Sequence, residues 1–318
     1  PTENNIALTK EMLGVLKCLS KEDLVIVIVS GGGSTLLCQP PAEVGAAEEK
    51  ELLDALFHAG ANIQEINTLR KHLSYARGGY LAQAADPAQV VACILSDVPG
   101  DEIEYISSGP TVKDSTTIED AEGIIARYDV DGRFEALTTK FIETPKDQKI
   151  FDRVTNILFI SNRLALEAMK VDLEERGYAV QIVTTRLTGN AITLGRQIAS
   201  EIAATPTRTA LLYGGETTVN ITGSGKGGRN QALVLAALAE VRENTIITSF
   251  ASDGRDNGDY AGSFADSDLR EIAISKDLDM VSYLQNSDST TFFSELGYYI
   301  ETGPTGSNVA DLIIALKN

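Results

Sequence analysis

The residues whose types and spacing could do chemistry fall in a few short segments, some suited to an oxygen-rich anionic ligand and others to a cation or a hydroxyl. Ser30-Gly31-Gly32-Gly33-Ser34-Thr35 directly follows an apolar run. Three successive glycines let a chain turn sharply and aim several N–H groups at one point, and a helix starting near Ser34 would add its partial positive charge. The same residues also suit a tight structural turn. The pattern is neither the dinucleotide GxGxxG nor the P-loop GxxxxGK[ST]. At 67–79 three basic residues, Arg70, Lys71 and Arg77, sit close together in an acidic chain. They could hold a carboxylate or phosphates, with arginine binding in a bidentate fork, or they could be a solvated helix face.

The stretch 223–231, GSGKGGRNQ, precedes a long apolar segment. It would put Lys226, Gly227, Gly228, Arg229 and Asn230 at a helix N-terminus, an electrostatic seat for phosphates, with Arg229 able to stabilise charge during phosphoryl transfer. A glycine-rich hairpin turn is the alternative. Carboxylates recur just past apolar runs: Asp97 and Asp101 after 90–95, Asp253 and Asp256 after 245–250. Ligands of open α/β sheets bind at strand carboxyl ends, where paired carboxylates can hold Mg²⁺ or activate a hydroxyl, although aspartate also serves turns and caps. Residues 253–264 begin like an EF-hand loop, but position twelve is Phe264, so a Ca²⁺ buffer is excluded.

The elements that must position these residues follow from periodicity. Apolar spacing predicts a helix over 6–19 and a strand over 24–29 whose unbroken β-branched run suits burial on both faces. Helices are expected at 48–60 and 80–85, and a strand at 90–95. The polar stretch 134–153 is the boundary candidate, dividing the chain into domains 1–150 and 151–318. Strands at 156–160, 179–184, 209–213 and 245–250 then alternate with helices at 164–176, 191–203 and 229–242. The fold class is α/β with a largely parallel sheet. SGGGST, SDVPGD and SGPT in the first half are echoed in order by GGETT, SDGRD and TGPT in the second. This order suggests two lobes with analogous strand-end loops, or chance similarity among turn-forming residues.

Composition bounds the rest. A formal charge of −18 over 318 residues argues against nucleic-acid binding. No apolar run approaches the roughly 20 residues that span a bilayer, and no signal peptide is visible. Cys18, Cys38 and Cys93 read as reduced, mostly buried thiols of a cytoplasmic protein. Two histidines leave a His-rich metal site out of reach.

Together and in this order, the segments resemble the glycerate 2-kinases that carry a C-terminal MOFRL domain. The matching residues are SGGGST (30–35), NTLRKHLS…GG (67–79), LSDVPGD…ISSGPT…DST (95–116), GGETT (214–218), GSGKGGRNQ (223–231), SDGRDNGDYAG (252–262), NSDSTTFF (286–293) and TGPTGSNVADL (302–312). The resemblance implies a Rossmann-like N-terminal domain and a C-terminal α/β MOFRL domain. It implies transfer of the ATP γ-phosphoryl, with Mg²⁺, to the 2-hydroxyl of D-glycerate. Arg229 falls on the family's GKGGRN arginine. Asp97 and Asp253 are carried over as catalytic candidates, and Asp101 and Asp256 as metal candidates. Ser30, Gly31, Gly32, Gly33, Ser34, Arg70, Lys71, Glu216, Lys226, Gly227, Gly228 and Asn230 are the candidates for substrate and phosphate.

Family members begin upstream of Pro1 with a segment that includes an active-site lysine, so the resemblance also implies an N-terminally truncated chain. A non-catalytic nucleotide- or glycerate-binding fragment is one alternative. A hydroxypyruvate reductase is another, which the missing dinucleotide fingerprint disfavours. Partners are the small molecules, with no nucleic acid or membrane, and homo-oligomerisation is left open.

Overall fold

The computed structural model describes residues 2–129 and 131–318. Contacts divide it into two units: residues up to Ser96 with Glu102–Phe159, and Asp97–Asp101 with Ile160–Asn318.

In the first unit, Thr2 and Asn5 form a reciprocal capping box that starts helix α1, Glu3–Leu16. Strand β1, Leu24–Val29, leads to α2, Gly33–Leu36, a single turn. Helices α3, Ala46–His58, α4, Ile63–His72, and α5, Tyr80–Ala85, precede strand β2, Gln89–Leu95. A 3₁₀ turn at Ile106–Ser108, helices α6, Ile118–Tyr128, α7, Glu135–Thr138, and α8, Gln148–Phe151, and strand β3, Val154–Ile160, complete it.

The described strands form a sheet of order β1-β2-β3, with β1 and β2 parallel. Val25, Val27, Val90 and Val154 pack onto Leu13, Leu16 and Leu81. The alternate residues of β1 do not: Leu24, Ile26 and Ile28 are 58%, 65% and 75% exposed. The unbroken run 24–29 therefore has one packed and one open face, because an all-apolar strand buries both faces only where a layer covers each. A second core joins α3, α4, α6 and α7 through Leu52, Leu56, Leu69, Ile125 and Phe134.

The second unit continues with α9, Asn162–Glu175, β4, Ala179–Leu187, α10, Ala191–Ala203, and β5, Thr209–Gly215. Then come α11, Arg229–Leu238, β6, Thr245–Ala251, β7, Gly262–Asp266, and α12, Ser267–Ser275. Helices α13, Met280–Gln285, and α14, Ser289–Leu296, lead to β8, Tyr299–Ile300, and β9, Asp311–Lys317.

The sheet order is β4-β5-β9-β6-β7-β8. Among the described strand pairs of this sheet only β4 and β5 run parallel; β9 inserts antiparallel between β5 and β6. The alternation of elements signals a parallel sheet but cannot reveal a late strand threaded back through the middle. Helix α11 is apolar on all sides from Leu233 to Leu238 because it is wholly buried between α10 and the sheet. Gly195 on α10 permits that approach: a Cβ there would lie 2.1 Å from the Leu233 carbonyl oxygen.

Candidate functional site

The strand register of the second unit brings three chain segments to one end of its sheet. Asp311, the first residue of β9, pairs with Gly215 at the end of β5 and with Ala251 at the end of β6. Glu216, the loop 252–256 and the segment before Asp311 therefore meet there. Within this cluster Thr305 N donates to the Asp253 carbonyl, so the echoed SDGRD and TGPT loops pack on each other.

Helix α11 begins at the same place. Arg229 donates from Nε to Asp311 Oδ2 at 2.6 Å and from Nη2 to Oδ1 at 3.0 Å, and Nη1 reaches Glu216 Oε1 at 2.7 Å. Burial disfavours the guanidinium charge, but Asp311, Glu216 and Asp256 outweigh it and the net shift is upward. Of its five N–H groups, three are used, and the other two have no protein acceptor among the described residues. Asp311, 1% exposed, also accepts from Asn230 Nδ2, and its rigid strand fixes the arginine's direction.

Asp256 closes the N-terminus of α11. Its Oδ1 accepts from Asn230 N and its Oδ2 from Gln231 N at 2.8 Å. Burial pushes its carboxyl up to about 6, against the hydrogen bonds from Gln231 and Asn230. This carboxylate occupies the helix terminus that the sequence reading reserves for phosphate, and with both oxygens engaged it acts as a cap rather than as a free metal ligand.

The glycines of 223–228 also differ in purpose from the expected cradle. Cβ atoms at Gly223, Gly225 and Gly227 would lie 2.3–2.7 Å from atoms of Asn286, Asp288 and Ser289. The N–H groups of Ser224, Gly225 and Lys226 donate to Asn286 and Asp288. These glycines thus permit close packing of the loop. The Lys226 ammonium is exposed and has no partner among the described residues, and Gly227 and Gly228 retain N–H groups without a protein acceptor.

Of the carboxylate pairs, Asp253 accepts from Arg255 N in a local turn. Asp97 and Asp101 belong to the second unit, and Asp101, with φ 59°, keeps a buried Oδ1 that has no hydrogen-bond partner among the described residues. No group of three or more His, Cys, Asp or Glu among the described residues is arranged to hold a metal.

The first unit builds a separate polar cluster. Ser107 Oγ donates to the Ser30 carbonyl at 3.0 Å, and Ser108 Oγ lies 3.2 Å from Ser34 Oγ and 2.9 Å from Asn67 Oδ1. Gly33 packs against Ser107 so tightly that a Cβ would lie 2.1 Å from Ser107 Oγ. Ser107 and Ser108 both have positive φ, a conformation that local packing must enforce. Because α2 is one turn long, it supplies no helix-terminal charge of the kind expected near Ser34.

Arg70 lies one turn beyond Asn67 on the same face of α4. Burial and then repulsion from Arg77 hold its guanidinium below the usual range, and no hydrogen bond to the protein satisfies its side chain among the described residues. A bound anion would relieve both. Lys71 differs: it is fully buried, 2.5 Å from Asp114 Oδ1 and 3.0 Å from Glu104 Oε1. It is therefore part of an internal ion-pair network and not available to a substrate.

Sequence reasoning missed Asp311 as a partner of Arg229. Asp311 falls inside the matched segment 302–312 and opens the apolar run 311–316, but neither fact ties it to Arg229. It also missed Asp114. Cys38 is buried, but Cys18 is exposed.

Residues 1–143 match a family described as a domain of unknown function (DUF4147), and residues 209–311 match the MOFRL family. The chain is 38% identical to a D-glycerate 2-kinase of Thermotoga maritima over 99% of its own length and 78% of that protein. It is 36% identical to a glycerate 2-kinase of Pyrococcus horikoshii over 99% of its length and 76% of that protein. A crystal structure of glycerate kinase from Thermotoga maritima superposes with a TM-score of 0.92 at 36% identity, covering all of this chain and 78% of that one. The chain therefore belongs to the MOFRL-containing glycerate kinase family of enzymes.

Proposed function

We propose that the protein phosphorylates D-glycerate at its 2-hydroxyl, with ATP as donor and 2-phosphoglycerate as product. The observation that carries this reading is the Arg229 guanidinium, held by Asp311 and Glu216 with two N–H groups left without a protein acceptor among the described residues. Phosphoryl transfer needs positioned positive charge more than covalent chemistry, and a preoriented arginine supplies it without reorganisation. Lys226 and the free N–H groups of Gly227 and Gly228 would bind phosphate oxygens beside it.

Arg70, with Ser30, Ser34 and the glycines Gly31, Gly32 and Gly33, would bind the glycerate carboxylate and hydroxyls. Asp97 or Asp253 would orient the reacting hydroxyl and accept its proton. Mg²⁺ arriving with a triphosphate needs only one or two protein carboxylates, and the orphaned Asp101 oxygen fits that role while the capping Asp256 does not. When bound, the ion would neutralise charge on the transferring group.

The proposed setting is the cytoplasm, consistent with the absence, among the described residues, of a helix long and apolar enough to cross a membrane. An assay with D-glycerate, ATP and Mg²⁺ coupled through enolase tests the reading, because enolase consumes 2-phosphoglycerate but not its 3-isomer. Enolase-dependent signal supports it. ATP turnover that yields signal only after a phosphoglycerate mutase is added would move the product to the 3-position.

A further inference from the structure

We propose that the groove beside α1 and α5 in the first unit binds a planar, ring-bearing anion, at a site whose lining shares no residue with that unit's polar loop cluster. The groove is an open pocket of about 730 Å³, within the range of small-molecule sites. Lys10, on α1, and Lys17, the residue that caps its C-terminus in helical conformation, line it seven residues and therefore about two turns apart. Neither ammonium has an ion-pair partner among the described residues, in a chain whose net charge is −18. Asp86 is the single acid in the lining, so positive charge is in excess there.

Gly14 lies between the two lysines, in the interior of α1. Glycine disfavours a helix relative to alanine, and here no close packing demands it: an added Cβ would meet nothing within 4 Å. What the missing side chain provides is an open floor. Tyr75, 42% exposed, also lines the groove, its ring held edge-to-face with Tyr80 at 5.3 Å between centroids. The Tyr80 hydroxyl is fixed in turn by donating to the Glu143 carbonyl. A flat ring can stack on such a face.

Gln39 supplies the polar handle. Its backbone is pinned, donating to Ser74 Oγ and accepting from Tyr75 N, while its side-chain Oε1 is buried without a hydrogen-bond partner among the described residues. A buried acceptor left unpaired is unfavourable, and a ligand hydroxyl or N–H would satisfy it. The ligand class that answers all these groups has a ring for Tyr75, a carboxylate or phosphate for the lysines, and a donor for Gln39.

The test uses 4-hydroxybenzoate as the probe, followed by saturation-transfer NMR on the whole protein. Gly14→Phe fills the floor and favours the helix; Lys10→Gln with Lys17→Gln removes the charge at the surface. Saturable binding tighter than about 10 mM is expected in the parent, weakened at least ~10-fold by Gly14→Phe and several-fold by the double lysine variant. No saturable binding in the parent, or parent-like affinity in either variant, overturns the proposal. The readout does not depend on kinase activity, so it stands apart from the functional reading.

Discussion

Arg229 and Asp311 form a two-pronged ion pair, 2.6 Å from Nε to Oδ2 and 3.0 Å from Nη2 to Oδ1, that joins the first residue of a buried helix to the first residue of a central strand. The pair fixes the direction of the guanidinium, so Asp311 is a positioning residue. Asp311→Asn keeps the shape and removes the charge. It is expected to lower kcat by about 10-fold with a smaller change in KM, because the arginine would remain present but less well aimed. A variant with unchanged kcat and reduced thermal stability would assign Asp311 a structural role alone.

Asp256 gives stability an unusual pH dependence. Its folded-state carboxyl is raised to about 6 from 3.8 by burial, so between these values the folded protein holds a proton that the unfolded chain has lost. The contribution is fully present below pH ~4 and fades as pH rises through ~6, amounting to about 3 kcal/mol. Urea unfolding of the parent and of Asp256→Asn between pH 4 and 7 checks this: the parent should lose stability relative to the variant across that window. Parallel curves would remove Asp256 as the cause.

The buried network around Lys71 works in the opposite sense. Burial raises the Asp114 carboxyl, but Lys71 and the hydrogen bonds from Thr116 outweigh it and the net shift is downward. Its contribution is therefore present above the unfolded value of 3.8 and lost as pH falls through the lower folded value. Lys71→Met removes the nearest cation from the buried Asp114, leaving Lys146 at 3.9 Å, and should cost about 3 kcal/mol at neutral pH. Calorimetry showing parent-like stability at pH 7 would contradict the network's role.

Gly33 and Ser107 test the first unit's loop cluster. Gly33→Ala would force a Cβ to 2.1 Å from Ser107 Oγ and should destabilise by about 1–3 kcal/mol. Ser107→Gly removes the obstructing side chain and suits the observed φ of 51°. The double variant should therefore recover most of the loss. Strict additivity in denaturant titrations would show that the two residues do not meet as described.

Much of the scaffold is legible in the sequence because single elements obey local rules. The helix 191–203 is found where its apolar spacing places it, and the strands at 90–95, 209–213 and 245–250 match with extensions of one or two residues. Strand β9 is not legible as the sheet's centre, since its antiparallel pairing with both β5 and β6 is a non-local fact. For the same reason Asp311 could not be paired with Arg229 across 82 positions.

The glycine-rich segments show a different limit. Glycine in a sequence reads as freedom to approach a ligand, whereas at 223–228 it lets backbone approach Asn286, Asp288 and Ser289. Likewise a lysine beside an arginine reads as a paired anion site. Burial then separates them, drawing Lys71 into the interior and leaving the Arg70 side chain without a hydrogen bond among the described residues.

The most direct test of the account is the turnover of Arg229→Ala against the parent in the enolase-coupled assay with D-glycerate, ATP and Mg²⁺. The preoriented guanidinium predicts a fall in kcat of at least ~100-fold, with the protein still folded by circular dichroism. Near-parent turnover in that variant would remove Arg229 from the chemistry and contradict the account.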